Sequence, residues 1–473
     1  MLIGPEVRQN KAVLFISALI VVGLLAYSAI VVLEIGFFQS LPYWFIVPHK
    51  TPVNFIFIVV ALSFLLLAIA FFHLSRARVI NLLFIFVAGV AIQFSFGLAK
   101  GGVDSISSRM IHTGHAQFMR MALKIDNIAD FIRDYEKLVK ENKLGFFAPS
   151  KPPGTAIIYV LTDRVANYFN KNDKQAEPTV AEREGKLVNF ATYSWTVFSC
   201  LPIFLIYLLG RRLFDSKTAM FAALLYATVP SVALINLHTD QTFYPFMTVL
   251  TVFLMVKAKQ EHNLWLGALT GIIFFLTSFL SFGLLVTAIL FIWIIFIHNI
   301  SRQSIILSGA VGLGILLTGL VFYWSFQYNH IERYLSATAY HVSVKGWDNT
   351  AGTLFFAAVT NLIEYSLWIG LPLAILAIYA FKNISILKST DYGLSNAVLT
   401  SLFLIIIALL FFGKTKAETA RLWMFLTPFM CLFAAQAVKE LARSDRVFMV
   451  FSSFVLVAQF LAAYLLLRYQ DFL

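Results

Sequence analysis

The chain has 473 residues, of which 60% are hydrophobic and only 13% are charged. An average soluble protein carries about 25% charged residues, so this composition excludes an ordinary soluble domain. The net charge of +12 does not indicate a nucleic-acid-binding protein, because the basic residues form no stripe and instead flank long apolar segments. Cys200 and Cys431 both lie inside apolar segments, which favours core packing over a disulfide or a metal site.

The long apolar segments predict an all-α, polytopic membrane protein in which residues 1–473 form a single integral-membrane domain. A run of about 18 or more apolar residues is typical of a transmembrane helix, because a helix satisfies its own backbone in hydrocarbon. The first run is long and lacks a small-residue cleavage site, so it is predicted as a span and not as a cleavable signal. The pair within 264–298 is either a hairpin or two half-helices around Gly283. We predict about thirteen transmembrane helices, near 13–35, 53–73, 79–99, 187–209, 219–236, 241–256, 264–279, 281–298, 304–326, 356–380, 396–413, 421–438 and 447–467.

Basic residues indicate the orientation of these helices, because Lys and Arg are enriched in cytoplasmic loops. They concentrate near the N-terminus and in alternate short gaps: Arg8, Lys11, Arg76, Arg78, Arg211, Arg212, Lys217, Lys257, Lys259, Arg302, Lys382, Lys388, Lys439, Arg443 and Arg446. The N-terminus and these gaps are therefore predicted to be cytoplasmic. The expected location is the plasma membrane, with the long polar loops 100–186 and 327–352 on the extracytoplasmic side.

Acidic residues fall mostly in the loops predicted to be extracytoplasmic, and hardly any lie near the middle of a predicted span. A proton- or sodium-coupled transporter usually needs an intramembrane carboxylate. The distribution therefore disfavours a lipid or polysaccharide transporter or flippase, which we keep as an alternative. It favours binding or chemistry at the outer membrane surface.

The first long loop has its own helical patterns. Segments 115–141 and 155–169 have amphipathic spacing and predict helices that lie in the interface plane, with Asp163 and Arg164 on the polar face of the second. Residues 147–154 contain two consecutive prolines and a glycine, which predict a rigid turn that ends one helix and starts the next. Residues 170–186 are expected to form a solvated connector.

Polar side chains predicted at the outer face form the candidate site. His112 and His115 are three residues apart, but two ligands are too few for zinc. No metal site is therefore predicted, and no cofactor has a defined ligand set, although a divalent cation stays an open expectation. The candidates are Asp104, Arg109, His112, His115 and Asp126 in the first loop; Lys151 in the Pro-Pro turn; His238 and Asp240 between two spans; His330, Glu332, Arg333, His341 and Asp348 in the second loop; and Lys414, Lys416, Glu418 and Arg421 before the twelfth span.

Two of these candidates have structural alternatives. Asp240 is either a functional acid or the N-cap of the following helix. Glu418 and Arg421 are three residues apart, so they form either a local ion pair or, with the two nearby lysines, a phosphate site. A lipid-phosphate sugar donor would lie at this level of the membrane. Its phosphate needs Arg or Lys, and the acceptor hydroxyl needs a general base such as Asp.

Several motifs give the chain a resemblance to a known superfamily. From about residue 97 onward the chain resembles the GT-C integral-membrane glycosyltransferases, of the protein mannosyltransferase and aminoarabinose transferase type, and especially prokaryotic members with His-Thr-Gly-His and Thr-His-Pro-Pro-Gly motifs. The matching stretches are His112-Thr113-Gly114-His115, Ser150-Lys151-Pro152-Pro153-Gly154, Gly210-Arg211-Arg212-Leu213-Phe214 and residues 417–425, which resemble a Glu-Thr-Glu-Arg-Ile-Trp stretch.

The resemblance implies a glycosyltransferase that moves a sugar from a polyprenyl-phosphate-linked donor to an extracytoplasmic lipid, glycan or protein by inverting displacement. It implies a general base in the first outer loop, soon after a span, where Asp104 stands. We expect the catalytic residues to be Asp104, His115 and Asp240. We expect the substrate-binding residues to be Arg109, His112, Lys151, Lys416, Glu418 and Arg421.

The chain departs from the family pattern at two positions. Lys151 stands where the turn usually has His, and Ala420 stands where the late stretch has its second Glu. If either family residue is catalytic, this chain has altered specificity or has lost activity. A GT-C-like scaffold that binds a polyprenyl lipid without catalysis is therefore a third alternative. An enzyme is expected to have an outer-side cavity that ends beside Asp104, Lys151 and Arg421, whereas a transporter needs a path between both faces.

Overall fold

The computed structural model describes residues 5–472 except 76, 113, 115, 170–178, 235–239, 297–300, 346–349, 383–392, 412–414 and 443. Only the backbone is described for residues 5–10, 108, 109, 240, 345, 471 and 472. Nearly all of the described chain is helical, which confirms the predicted all-α class. A three-residue antiparallel strand pair is the exception, between β1 (Ile46–Pro48) and β2 (Gln470–Phe472).

The helices follow one another along the chain with short connections. The first seven are α1 (Pro5–Val32), α2 (Phe55–Leu74), α3 (Arg78–Gly101), α4 (Val103–His112), α5 (Ala116–Ala122), α6 (Ile128–Lys140) and α7 (Gly154–Phe169). The next eight are α8 (Val180–Cys200), α9 (Pro202–Leu213), α10 (Ser216–Ala227), α11 (Pro230–Ala233), α12 (Tyr244–Glu261), α13 (Leu264–Leu280), α14 (Ala288–Phe296) and α15 (Arg302–Phe326). The last seven are α16 (His330–Lys345), α17 (Ala351–Ile369), α18 (Leu371–Lys382), α19 (Gly393–Phe411), α20 (Thr419–Leu422), α21 (Thr427–Leu441) and α22 (Asp445–Tyr469).

Ten helical segments of the described chain are long and apolar enough to cross a membrane. They coincide with ten of the predicted spans, and the protein is therefore a multi-pass membrane protein. The other predicted spans, near 219–236, 264–279 and 281–298, correspond to shorter helices: α10 with α11, α13, and α14 with the 3-10 turn before it. The last two are separate helices, and the ring centres of Phe274 in α13 and Phe291 in α14 lie 5.0 Å apart, so the chain folds back here, which favours a hairpin.

The predicted span 356–380 is broken into α17 and α18 at Gly370. The Gln459 side chain of α22 donates its Nε2 hydrogen to the carbonyl of Ile369. A Cβ at Gly370 would overlap this amide, and the residue has a φ of +91° that favours glycine. A polar side chain inserted at a helix end thus produces the break, which hydropathy alone does not reveal.

Side-chain contacts gather the predicted cytoplasmic gaps at one end of the bundle. Arg212 pairs with Glu261 at 2.7 Å and joins the ends of α9 and α12. Lys217 pairs with Asp445 at 2.7 Å and joins the starts of α10 and α22. Lys259 donates to a backbone carbonyl at the end of α14. These contacts place four of the predicted basic gaps at one physical end, whereas its cytoplasmic side stays a prediction.

We expect protease cleavage to report the orientation of this end. The connector at 170–178 should be cut from the extracytoplasmic side only, because α8, the next helix, starts at the end opposite to the Lys217–Asp445 pair. Limited proteolysis of right-side-out and inverted vesicles measures this, with a cleavage tag inserted next to Lys388 as the cytoplasmic control. Cleavage of 170–178 from the cytoplasmic side alone would contradict the topology.

The first outer loop differs from its prediction in three respects. Segment 115–141 forms two helices, α5 and α6, because residues 123–127 turn the chain and Asn127 caps α6 through the amide of Ala129. Asp163 is only 3% exposed and not on a polar face, since it pairs with Arg183 of α8 at 2.8 Å. Residues 180–186 are the first two turns of α8 and not a connector, started by a Thr179–Glu182 capping box.

The loop helices have a hydrophobic core of their own. Phe118 and Met119 of α5, Tyr135 of α6, Tyr159 of α7 and Trp195 of α8 are buried together. Their large aromatic area stabilises the layer against the outer part of α8. The loop is therefore a packed structure, and its placement in the membrane interface stays a prediction.

Candidate functional site

The Pro-Pro turn that carries Lys151 is held on several sides by hydrogen bonds to its backbone. Tyr135 of α6 donates its hydroxyl to the carbonyls of Ala148 at 2.9 Å and Lys151 at 3.2 Å. Thr155 donates to the carbonyl of Leu280 at 3.0 Å, which ties the turn to the end of α13. A Cβ at Gly154 would overlap the carbonyl of Phe279. The glycine of this motif therefore permits a close approach of two backbones.

The second outer loop fastens the same turn through a buried arginine. Arg333 of α16 has no exposed surface, donates to the carbonyl of Pro149 at 2.6 Å and pairs with Glu136 of α6 at 3.0 Å. Tyr340 of the same helix donates to the carbonyl of Phe146 at 3.0 Å. Arg333, a candidate from the sequence, is thus a structural link between the two loops.

His330, at the start of α16, is also part of this link. Its imidazole nitrogens lie 2.9 Å from the Ser278 hydroxyl and 3.2 Å from the Tyr328 hydroxyl, and its ring packs against Phe275. Burial lowers the pKa of His330 from 6.5 to about 4. The histidine therefore stays neutral in the folded protein near pH 6.

We expect low pH to destabilise the packing of His330 at the start of α16. Between pH 6.5 and about 4 the unfolded chain binds a proton at His330 that the folded chain does not, so the folded state loses stability as the pH falls through this window. Above pH 6.5 the effect is absent. Thermal unfolding of the detergent-solubilised protein at pH 7 and pH 5 measures it. His330→Asn should reduce the difference between the two midpoints, whereas the exposed-residue control His49→Asn should not; an unchanged difference in His330→Asn would contradict the assignment.

Asp104 lies in the first turn of α4, directly after the end of α3. Ile106 and Met110 are buried and seat the helix, and a Cβ at Gly97 of α3 would overlap Ile106. Asp104 and His112 are both exposed. They are eight residues apart, so they share one helix face, separated by about 12 Å along the axis. The side chain of Arg109, the next predicted member, lies outside the described residues, as does His115.

The loop before α20 holds Lys416, Glu418 and Arg421 in an unusual backbone. Ala417 and Glu418 are consecutive non-glycine residues in the left-handed region, with φ of 73° and 59°. Such a conformation costs of the order of 1–3 kcal/mol for each residue and persists only where the surroundings determine it. Arg421 then donates to the Glu418 carboxylate at 2.6 Å, which confirms the local ion pair.

Two residues of α17 determine this loop, and the sequence analysis did not single out either one. Asn361 accepts from the amide of Ala417 at 2.8 Å and donates to the carbonyl of Thr415 at 2.7 Å. Glu364 is only 1% exposed and accepts from the amide of Ala420 at 2.9 Å. Glu364 is one of the few acids inside a predicted span, and hydropathy averages conceal one acid among apolar residues. Its bond to a loop amide identifies it as a support of the site loop.

Lysines of the predicted site lie over aromatic rings. The Lys151 ammonium lies 4.6 Å from the centre of the Phe118 ring, and the Lys416 ammonium lies 5.3 Å from that of Tyr43. Lys416 is only 3% exposed, so its charge is buried. It lies five residues before Arg421 in the sequence. Cation–π contacts of this kind hold an ammonium in a defined place. Both lysines thus have restricted positions at the end of the bundle that is opposite to the Lys217–Asp445 pair.

The predicted residues form three local groups on different elements: α4 with Asp104 and His112, the turn with Lys151, and the loop with Lys416, Glu418 and Arg421. Packing relates them indirectly, since α4 contacts α8, and α8 contacts the 3-10 turn Asp240–Phe243 that precedes α12. The 3-10 turn after α20 also contacts α12. The side chain of Asp240 and residues His238 and Lys414 lie outside the described part of the chain, so the N-cap alternative for Asp240 stays a prediction.

A cavity of about 780 Å³ lies between α5, α6 and the segment 143–147. Asp126, a sequence candidate, lines it, whereas Asp104, Lys151 and Arg421 are not among its lining residues. The expected cavity beside those three stays a prediction. Among the described residues no three His, Cys, Asp or Glu side chains cluster as a metal site requires, and a divalent cation stays an open expectation.

One part of the chain matches a known protein family. Residues 191–324 match the family described as dolichyl-phosphate-mannose-protein mannosyltransferase. This part runs from α8 to α15 and does not include Asp104, Lys151 or Arg421. No curated protein matches the chain.

Solved structures of an archaeal oligosaccharyltransferase are similar to this chain. The Archaeoglobus fulgidus oligosaccharyltransferase AglB, in complex with an inhibitory peptide and a dolichol-phosphate, is similar over 83% of this chain and 56% of that chain, with 12% identity and a TM-score of 0.51. The Archaeoglobus fulgidus oligosaccharyltransferase complex with Zn and sulfate aligns over 82% and 53%, with 12% identity and a TM-score of 0.48. The chain thus spans about half the length of these oligosaccharyltransferases.

The helical fold shared with AglB and the mannosyltransferase family match over the central spans agree with the motif resemblance. The chain is therefore a multi-pass membrane protein whose fold and partial family match are those expected of the GT-C superfamily.

Proposed function

We propose that this protein transfers a sugar from a polyprenyl-phosphate-linked donor to an extracytoplasmic acceptor. The observation that carries the proposal is the conformation of the loop at residues 415–421. Asn361 and Glu364 hold its strained backbone by hydrogen bonds, and Arg421 lies at its end. Strained backbone residues persist where the surrounding structure holds them, and they cluster at ligand-binding sites. The two left-handed residues and the buried lysine of this loop therefore support a ligand site. An arginine beside a lysine at the mouth of a span is suited to a lipid phosphate.

In the proposed reaction, Asp104 is the general base. It lies at the first residues of α4, just outside α3, and its carboxylate is exposed. The acceptor hydroxyl gives its proton to Asp104 while its oxygen attacks the anomeric carbon opposite the phosphate. The bond between the anomeric carbon and the phosphate oxygen breaks, and its electron pair leaves with the polyprenyl phosphate. The new glycosidic bond has inverted configuration.

The remaining predicted residues assist this transfer. Arg421 and Lys416 bind the phosphate as its negative charge increases, and Glu418 orients the Arg421 guanidinium through the 2.6 Å ion pair. Lys151 adds positive charge from the fixed turn, and His112 shares the exposed face of Asp104. Arg109, His115 and Asp240 are proposed to belong to the same site. Lys151 supplies charge where the related motif has His, so this departure changes how the phosphate is held.

We expect Arg421→Ala to weaken the binding of polyprenyl phosphate by roughly 1.5–3 kcal/mol, the usual worth of a charge-assisted hydrogen bond. Arg421→Lys should weaken binding less, since a lysine retains the charge but not the planar fork. Native mass spectrometry of the purified protein with added polyprenyl phosphate measures the affinity. Arg302→Ala, at the opposite end of the bundle, is the matched control.

A purely structural role for Arg421 has a different signature. If the guanidinium only pairs with Glu418, then Arg421→Ala and Glu418→Gln lower the thermal midpoint alike and leave the affinity for polyprenyl phosphate equal to that of Arg302→Ala. That result would overturn the phosphate assignment.

A further inference from the structure

The cavity between α5 and α6 has no role in the transfer described above. Its volume of about 780 Å³ lies within the range of small-molecule sites. The sequence motifs did not predict it, although their residues build part of its wall. The charges and the apolar side chains that line the cavity, together with its location, indicate a class of ligand.

The walls of the cavity carry opposite charges. Arg120 and Lys124 are four residues apart and lie along one side, whereas Asp130 and Asp134 of α6 share a helix face on the other. With Lys143 and Asp126 the lining has three basic and three acidic side chains. This balance gives no net attraction for a phosphate or another anion, which separates the cavity from the site around Arg421.

The floor of the cavity is apolar and partly aromatic. Phe131 and Phe147 contribute ring surface, and Leu138 and Leu144 complete it. A sugar ring has hydroxyls around its rim and C–H groups on its faces. Carboxylates accept hydrogen bonds from such hydroxyls, arginine and lysine donate to their oxygens, and aromatic rings cover the C–H faces. The lining therefore suits a saccharide with little net charge.

The frame of the cavity is rigid, and the glycine of the His-Thr-Gly-His motif is part of it. A Cβ at Gly114 would lie 2.5 Å from the Phe147 ring, so any larger residue there would shift that ring. Gln117 accepts from the amide of Phe147 at 3.3 Å, and Gly145 has a φ of +74°. The next residue of α5, Phe118, is the one whose ring contacts the Lys151 ammonium.

We infer that this cavity binds a saccharide unit of the acceptor, next to the turn that carries Lys151. The inference rests on the proposed function, since it identifies the acceptor as a near-neutral glycan and not a protein. Gln117 lines the cavity and the next residue, Phe118, contacts the Lys151 ammonium, so the cavity lies close to that turn.

The test uses Gly114→Ala, whose methyl group displaces the Phe147 ring, and Gly309→Ala as a matched control, because a Cβ at Gly309 meets nothing within 4 Å. Saturation-transfer NMR and a binding isotherm with a neutral oligosaccharide series measure affinity, with a uronic-acid oligosaccharide and a Ser/Thr peptide as competitors. Gly114→Ala should lower the affinity for the neutral series about tenfold, or about 1.4 kcal/mol, and Gly309→Ala should not change it. Asp134→Asn provides a second variant if Gly114→Ala does not fold.

Other outcomes separate this inference from the proposed function. Polyprenyl-phosphate affinity should be unchanged in Gly114→Ala and Asp134→Asn; if wild-type protein binds saccharide but not polyprenyl phosphate, the proposed function fails and the saccharide site stands. No saccharide signal, equal affinity in Gly114→Ala, Asp134→Asn and Gly309→Ala, or preferential competition by the peptide would overturn the acceptor assignment.

Discussion

Asp104→Asn should fold normally and lose sugar transfer by about 10²–10⁴-fold, the usual contribution of a general base. Asparagine is nearly isosteric with aspartate but does not accept the acceptor proton. The side chain of Asp104 is exposed, and α4 is seated by the buried Ile106 and Met110. We therefore expect the thermal midpoint and the affinity for polyprenyl phosphate to equal those of the wild type.

The matched control for this substitution is Asp445→Asn at the opposite end of the bundle. It removes a surface ion pair with Lys217, which is worth little, and should leave transfer unchanged. Rates of transfer from lipid-linked sugars into a glycan fraction measure both variants. Full activity of Asp104→Asn would move the base to another acid, Asp126 or Asp240.

Arg333→Ala should destabilise the packing of the two outer loops by roughly 3–5 kcal/mol, because breaking a buried ion pair leaves its partner charge uncompensated. The guanidinium is fully buried, pairs with Glu136 and donates to the carbonyl of Pro149. Removal leaves that carbonyl without this donor and loosens the turn that carries Lys151. Thermal unfolding and protease sensitivity of α16 measure the loss.

Two further variants test the cause of this loss. Arg333→Met combined with Glu136→Leu should recover most of the stability, since apolar replacement of both charges of a buried pair is often neutral. Arg133→Ala, which removes an exposed pair with Asp130 in the same region, should cost less than about 1 kcal/mol. Equal losses in Arg333→Ala and Arg133→Ala would show that the buried link does not hold the loops.

The apolar runs and the basic gaps predicted most of the membrane architecture. Long hydrophobic stretches determine spans by physical necessity, since the backbone of each must be satisfied in hydrocarbon. The ends of α2, α12, α15 and α22 accordingly fall within a few residues of their predicted positions. The all-α class and the turn at 147–154 followed from equally local signals.

Long-range contacts account for what the sequence did not predict. The Gly370 break depends on Gln459 from another helix, and the burial of Asp163 depends on Arg183 across the connector. Glu364 of α17 supports the site loop through a hydrogen bond to the amide of Ala420, 56 residues away in the sequence. No local pattern encodes such pairings. Motif resemblance identified Arg421, but the residues that support it became visible only in three dimensions.

The most direct test of the central claim follows the leaving lipid. Purified protein is added to membrane extract that supplies lipid-linked sugars and acceptors, and free polyprenyl phosphate is measured by mass spectrometry over time. A polyprenyl-dependent glycosyltransferase should release polyprenyl phosphate with wild-type protein and not with Asp104→Asn. Equal levels with wild-type protein, Asp104→Asn and no added protein would contradict the claim.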